Sequence, residues 1–443
     1  MFGFKRLILI ILALLLTVGV ARAQQQQGPE APGDEFANPS VLIPVNLSGT
    51  FNRFNIAIPA FQSLKSGGKV DQNAQTLPAR LGKNLDMTGF FQILDPRASL
   101  EADPMGGLIE SSPFNYAPWA QIGASFVVKG GLTISGSKLT MELRLFDVSV
   151  GEQRLAKRYN GPLKEAKRMI ARFTNDILLA VTGEAGVFGS KIIFVMGEKV
   201  NKSISMTELG LDEAEGIFSS KKGPATQPTL GPGNKAAWAY RNGRKWELMS
   251  GGSVVHSGET VFSPAFMPNG SLVAGLSGRV STHLYVFSGR SAKQLTNGAS
   301  IELSPTFSPD GSRMAYVSNQ GGAPGVYVTS SSGGVGARIS PGGTSTDPSW
   351  SPKGDKIVFV HRQRDICVVN PDGSGLVQLT GGQGRNLDPS FSPDGRMIVF
   401  SSDRGGRTQL YIMSANGDRQ QPLIPEVSGS QSQPSWSPDK PEQ

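Results

Sequence analysis

The chain has 443 residues, with 55 Gly, 30 Pro, 38% hydrophobic and 18% charged residues. That balance excludes a coiled coil or helical repeat, and aromatic and β-branched residues throughout exclude a disordered chain. The formal charge of +8 comes from basic residues scattered along the sequence rather than blocked, which reads as a solvated surface and argues against nucleic-acid binding.

The N-terminus reads as a secretory signal over residues 1–23. Lys5 and Arg6 precede an apolar run from Leu7 to Val20, and Ala21-Arg22-Ala23 offers small residues at a cleavage site. The run is too short for a membrane span, and no later stretch is long and apolar enough for one. Cleavage after Ala23 removes three cations and no acid, leaving +5. Gln24 rather than Cys follows the cleavage site directly, so a lipoprotein is not expected. Cys367, the single cysteine, sits in a strand-like run and reads as buried and apolar.

Residues 24–53 form a polar, Gln- and Pro-containing tail with one apolar segment, Val41, Leu42, Ile43, Pro44 and Val45. Such a segment on a mobile tail suits strand addition to a partner. Residues 54–185 read as an α/β domain. Strands are expected at Phe54–Phe61, Phe90–Leu94, Ser125–Lys129, Lys138–Asp147 and Gln153–Tyr159. A helix over 72–87 carries Leu77, Leu81 and Leu85 on one face. A second spans Pro162 to Val181 with Ala166, Ile170, Phe173, Ile177 and Leu178 inward, Pro162 in its first turn and Gly183 at its end.

From 187 to 443 a unit recurs. Pro305-Thr-Phe-Ser-Pro-Asp-Gly311 returns as Pro348-Ser-Trp-Ser-Pro-Lys-Gly354 and Pro389-Ser-Phe-Ser-Pro-Asp-Gly395, and as Pro264-Ala-Phe-Met-Pro-Asn-Gly270. Pro228-Thr-Leu-Gly-Pro232 is a degraded copy and Pro434-Ser-Trp-Ser-Pro-Asp439 a truncated one. A period of about 40 residues with four short strands per unit predicts a β-propeller. The last copy holds only an inner strand, and two orphan strands, Lys191–Met196 and Lys202–Glu208, follow the first domain. Together they predict one composite blade, six blades in all, and a ring closed by the C-terminal strand.

No nucleophile elbow, HExxH, P-loop or dinucleotide fingerprint occurs, so the reading is non-enzymatic. His256, His283 and His361 lie in three different blades and do not read as a metal site. The loops before the inner strands carry Glu259, Glu302, Asp347 and Asp388, with amides at Gln227, Asn386, Gln431 and Gln433. These acids are expected to share one rim. There they form a socket for a partner loop bearing Lys or Arg or for a cation, Ca²⁺ included, or else they cap turns and face water.

The order of parts resembles the TolB family of the Tol-Pal system. The matching segments are Ile56–Phe61, Asn84–Asp95 (NLDMTGFFQILD), Ala117–Ala124 (APWAQIGA) and the Leu178–Val195 join, and the likeness covers about residues 40–440. The resemblance implies a monomeric periplasmic scaffold with no cofactor. A Pal-type outer-membrane lipoprotein would sit at the propeller mouth. A TolA-type inner-membrane protein would bind the N-terminal segment, and occupancy of the mouth would withdraw that segment. The implied role is outer-membrane invagination at cell division and envelope integrity. Two departures stand out: the tail before Val41 is longer than the family's, and Leu230 and Gly233-Asn234 break the repeat in the first continuous blade. An exported propeller hydrolase and a carbohydrate-binding propeller remain the alternatives.

Overall fold

Local sequence builds the first sheet and decides where its strands stop. A computed structural model describes residues 53–64, 72–98, 101–278, 280–289 and 291–441. The proposed signal and the Val41–Val45 segment lie outside the described residues. Six strands form one sheet: β1 (Phe54–Ala57), β2 (Gln62–Ser63), β3 (Phe91–Leu94), β4 (Phe126–Ser135), β5 (Lys138–Asp147) and β6 (Glu152–Pro162). Its order is β3-β1-β4-β5-β6, with β2 alongside β4. β1 runs parallel to both neighbours, and β4 to β6 form an antiparallel meander.

The single strand expected over Phe54–Phe61 is two. β1 ends two residues before Pro59, which has no N–H for a ladder, and the chain pairs again only at Gln62. Pro162 does not open a helix. It is the last residue of β6, opposite Lys138, and a 3₁₀ turn over Leu163–Glu165 precedes the helix proper.

Helix α1 (Asn73–Met87) buries Leu77, Leu81 and Leu85, as their spacing of four predicts. The short α2 (Ala117–Gln121) buries Trp119. Helix α3 (Ala166–Thr182) buries Ile170, Phe173, Ile177 and Leu178. It ends on Gly183, whose φ of 78° is the left-handed cap that costs a residue with a Cβ about 1 kcal/mol.

The rest is a six-bladed propeller. Each blade is a four-stranded antiparallel sheet. The inner strands are Ala225–Gly231, Phe262–Phe266, Glu302–Phe307, Ser345–Trp350, Asn386–Phe391 and Gln431–Trp436. The last of these joins β7 (Lys191–Met196), β8 (Ser203–Glu208) and β9 (Glu215–Phe218) in a composite sixth blade, with Trp436 opposite Ile192. The ring is therefore closed by residues more than two hundred positions apart, and no open edge separates first and last blades.

The repeated Pro-Ser/Thr-aromatic triplet holds neighbouring blades together. The aromatic is buried at Phe307, Trp350, Phe391 and Trp436. Its amide donates to the hydroxyl one blade back: Trp350 N to Thr306 (3.2 Å), Phe391 N to Ser349 (3.3 Å) and Trp436 N to Ser390 (3.0 Å). At closure Leu230 N reaches Ser435 at 3.4 Å, and the Trp436 indole donates to Ser190 at 2.8 Å. Cys367 is fully buried in the fourth blade, where burial pushes its thiol up to about 12.

One apolar core runs from α1 and α3 into the fifth and sixth blades, through Phe188, Ile192, Met397, Leu410 and Trp436. Polar contacts brace this junction. Arg80 and Lys83 both reach Asp212, at 2.6 and 2.9 Å, and Arg419 reaches Asp86 at 2.7 Å. Burial alone would raise the Asp212 carboxyl, but the two cations outweigh it and hold it below the usual range.

Candidate functional site

The channel is lined by a position that the repeat leaves free to vary. In every inner strand the residue before the first proline sits at positive φ, between 46° and 53°: Gln227, Ser263, Ser304, Asp347, Asp388 and Gln433. At each of these points the pairing with the next strand slips register. A left-handed residue that is not glycine costs of order 1 kcal/mol or more. Six in corresponding places are a built feature, not an accident of one loop. All six line one cavity of about 560 Å³ that extends to the Ser-Pro turns ending the inner strands.

Hydrogen bonds link the ring residues from Asp388 through Gln433, Gln227 and Ser263 to Ser304, while Asp347 and Asp388 meet as like charges. Gln433 Oε1 accepts from Gln227 N at 2.9 Å, and Gln227 Oε1 accepts from Ser263 N at 2.9 Å. The Ser263 and Ser304 hydroxyls lie 3.4 Å apart. Asp388 Oδ2 accepts from Gln433 N at 3.3 Å and from the Ser401 hydroxyl at 2.8 Å, and Asp347 Oδ2 accepts from the Thr346 hydroxyl at 2.9 Å. Burial raises both carboxyls. The charge of Asp388 raises Asp347 further, to about 7. Near neutral pH the neighbouring acids therefore resist carrying two full charges. A cation placed between them would restore both.

The structure brings together Asp347, Asp388, Gln433 and Gln227. It does not bring the other expected rim residues to them. Glu302, Asn386 and Gln431 are strand-start residues, two positions earlier, and are buried within the propeller wall. Glu302 bonds His283 (3.2 Å) and Ser300 (3.0 Å); Asn386 accepts from Ser402 (2.9 Å) and Arg404 (2.6 Å); Gln431 accepts from Leu410 N (3.2 Å). Glu259 is exposed and outside the cavity. The expectation of four acids on one rim is thus corrected to two acids in a ring. The reason is register. Regular alternation would put residues two apart on one face, but the bulge between them breaks the alternation and turns only the residue before the proline inward. Ser263 and Ser304 complete the ring and were not singled out in the sequence. Aligning the six copies on their first proline would have found them.

Among the described residues no group of three or more His, Cys, Asp or Glu is placed to hold a metal ion. No helix among them is long and apolar enough to cross a membrane.

Fold and site together define a class: closed six-bladed propellers that follow a mixed α/β unit and carry a polar ring across the channel. Residues 45–154 match the TolB amino-terminal domain, and residues 179–440 match the TolB beta propeller domain. The chain belongs to the TolB family. It is 32% identical over 396 residues to a Protein TolB homolog of Chlorobium luteolum, covering 86% of this chain and 90% of that one. It is also 32% identical over 309 residues to a Tol-Pal system protein TolB of Desulfosudis oleivorans, covering 70% and 52% of the two chains. The crystal structure of TolB from Acinetobacter baumannii shares the fold, with a TM-score of 0.75 at 23% identity over 87% of this chain and 97% of that one.

Proposed function

We propose that this chain is the propeller component of a Tol-Pal system, an exported, non-enzymatic scaffold between two envelope proteins. A Pal-type outer-membrane lipoprotein docks at the channel, and a TolA-type inner-membrane protein binds the segment around Val41–Val45. The exchange between them serves outer-membrane invagination at division and envelope integrity.

The observation that carries this reading is the ring. Two neighbouring carboxyls at the inner end of a 560 Å³ cavity are a receptor for a loop bearing Lys or Arg. A cationic side chain entering there meets acids that its own charge drives to ionise. Family membership over both units supports the rest.

The test is capture from envelope extracts on the immobilised exported chain, with mass spectrometry of what binds. The reading requires a Pal-type lipoprotein on the intact chain and its loss on Asp347→Asn/Asp388→Asn. It also requires that deletion of residues 24–46 removes only the TolA-type partner. Retention of both partners on both variants contradicts it.

A further inference from the structure

The cations that lie scattered in the sequence are gathered by the fold where the propeller closes. Three loops meet there: 197–202, between β7 and β8; 219–224, which leads from β9 into the first continuous blade; and 241–245, a turn within that blade. Ala225 N bonds Lys202 O at 3.0 Å, and Arg241 N bonds Pro224 O at 3.0 Å, so the loops touch in series. They carry seven basic residues, of which Lys199, Lys221, Lys222, Arg244 and Lys245 are exposed at loop tips. None of the seven is in an ion pair found among the described residues; Lys202, the least exposed of them, lends its charge to Asp388. The one acid in these loops, Glu198, is engaged by the Ser430 hydroxyl.

Exposed like charges repel one another, and a structure that merely tolerated them would pair them with acids. The α/β junction, with Arg80, Lys83 and Asp212, does so. The closing seam does not. Val200, 68% exposed, stands among these cations at the tip of the first loop. The surface is made of loop tips and not of the residues that line the channel cavity. Long cationic side chains around an apolar tip, on a surface of protruding turns, fit a broad anionic sheet rather than a threaded peptide.

We propose that this patch docks on the phosphate headgroups of an anionic phospholipid membrane. It is a third contact surface, beyond the two partner sites proposed above. Lys and Arg meet the headgroup phosphates while Val200 enters the headgroup layer. Each cation near such a surface raises binding roughly fivefold, and the attraction fades over ~8 Å at physiological salt.

The test is sedimentation of the full exported chain with vesicles of phosphatidylcholine, alone or with roughly a third phosphatidylglycerol. Binding should require phosphatidylglycerol and fall steeply as salt is raised. Lys221→Gln/Lys222→Gln/Arg244→Gln/Lys245→Gln should lower it on the order of several hundredfold. Lys235→Gln/Lys353→Gln/Lys440→Gln, at the turn end of the propeller, should leave it unchanged. Val200→Ser should lower the binding that survives high salt. A melting curve checks each variant, and Lys221→Gln/Lys222→Gln alone serves if the fourfold variant does not fold. Equal binding to both vesicles, or equal losses in the two variant sets, overturns the proposal. So does binding to polyglutamate without binding to vesicles, which would assign the patch to an acidic polypeptide.

Discussion

The wall of the propeller and the ring inside it are built from the same inner strands, and they obey different rules. Along the wall, three residues repeat: a proline, then a small residue that is Ser or Thr in five of the six blades, then Phe or Trp in five of them. The hydroxyls of Thr306, Ser349, Ser390 and Ser435 each accept an inter-blade bond, and the buried aromatics wedge the blades. One residue earlier the six copies read Gln, Ser, Ser, Asp, Asp and Gln. The backbone there is the same in all six; only the side chain changes. The repeat fixes what every blade needs to close, and a single bulged position in each is left free to compose a binding surface.

The strongest way to break that contrast is at the seam. Removing residues 431–443 takes away the inner strand of the composite blade and should abolish cooperative unfolding of the whole propeller. Trp436→Ala alone should cost about 3–5 kcal/mol in urea denaturation, because a buried wedge and the indole bond to Ser190 are both lost. A loss under ~1 kcal/mol would mean that the wall does not depend on this residue.

The ring should behave oppositely. An acid whose pKa rises on folding holds its proton in the folded state over a range where the unfolded chain has released it. Stability contributed by Asp347 should therefore fall as pH rises from about 4 to about 7. Asp347→Asn should raise Tm by roughly 2–4 °C at pH 8 and leave it unchanged near pH 4. A variant less stable than the parent at pH 8 would show the carboxylate to be structural.

Smaller effects test the hydroxyl bonds. Ser390→Ala should cost about 1 kcal/mol through the orphaned Trp436 amide. Ala265 occupies the same place without a hydroxyl. Ala265→Ser should gain about 0.5 kcal/mol if the wall bond transfers between blades. Both are read from denaturation midpoints.

Blade number and closure were legible in the sequence because a 40-residue period and a truncated last copy leave one solution. Helix α1 was legible because three leucines four apart mark a buried face. The limits of β1 and β6 were not. Pro59 ends one strand early, whereas Pro162, opposite Lys138 at the end of β6, sits where no N–H is needed. The ring was half legible. Asp347 and Asp388 were found as acids near inner strands, but Glu302 was grouped with them although it lies two residues out of register and faces the wall. A positive φ leaves no mark in composition; its trace is the proline that follows. The basic patch was not legible, because three loops far apart in sequence compose it.

The most direct test of the receptor role is calorimetric titration of the chain from residue 24 onward with the soluble domain of the Pal-type lipoprotein, at pH 7, in two buffers of different ionisation enthalpy. A cation entering the ring must drive ionisation of the Asp347 carboxyl, which burial and the charge of Asp388 hold up. The account predicts release of about half a proton per complex at pH 7, since a carboxyl raised to about 7 is half protonated there, affinity that rises with pH between about 6 and 8, and a loss of at least ~10-fold in Asp347→Asn/Asp388→Asn with the fold intact. Binding with no proton release, at an affinity indifferent to pH and to both substitutions, would contradict it.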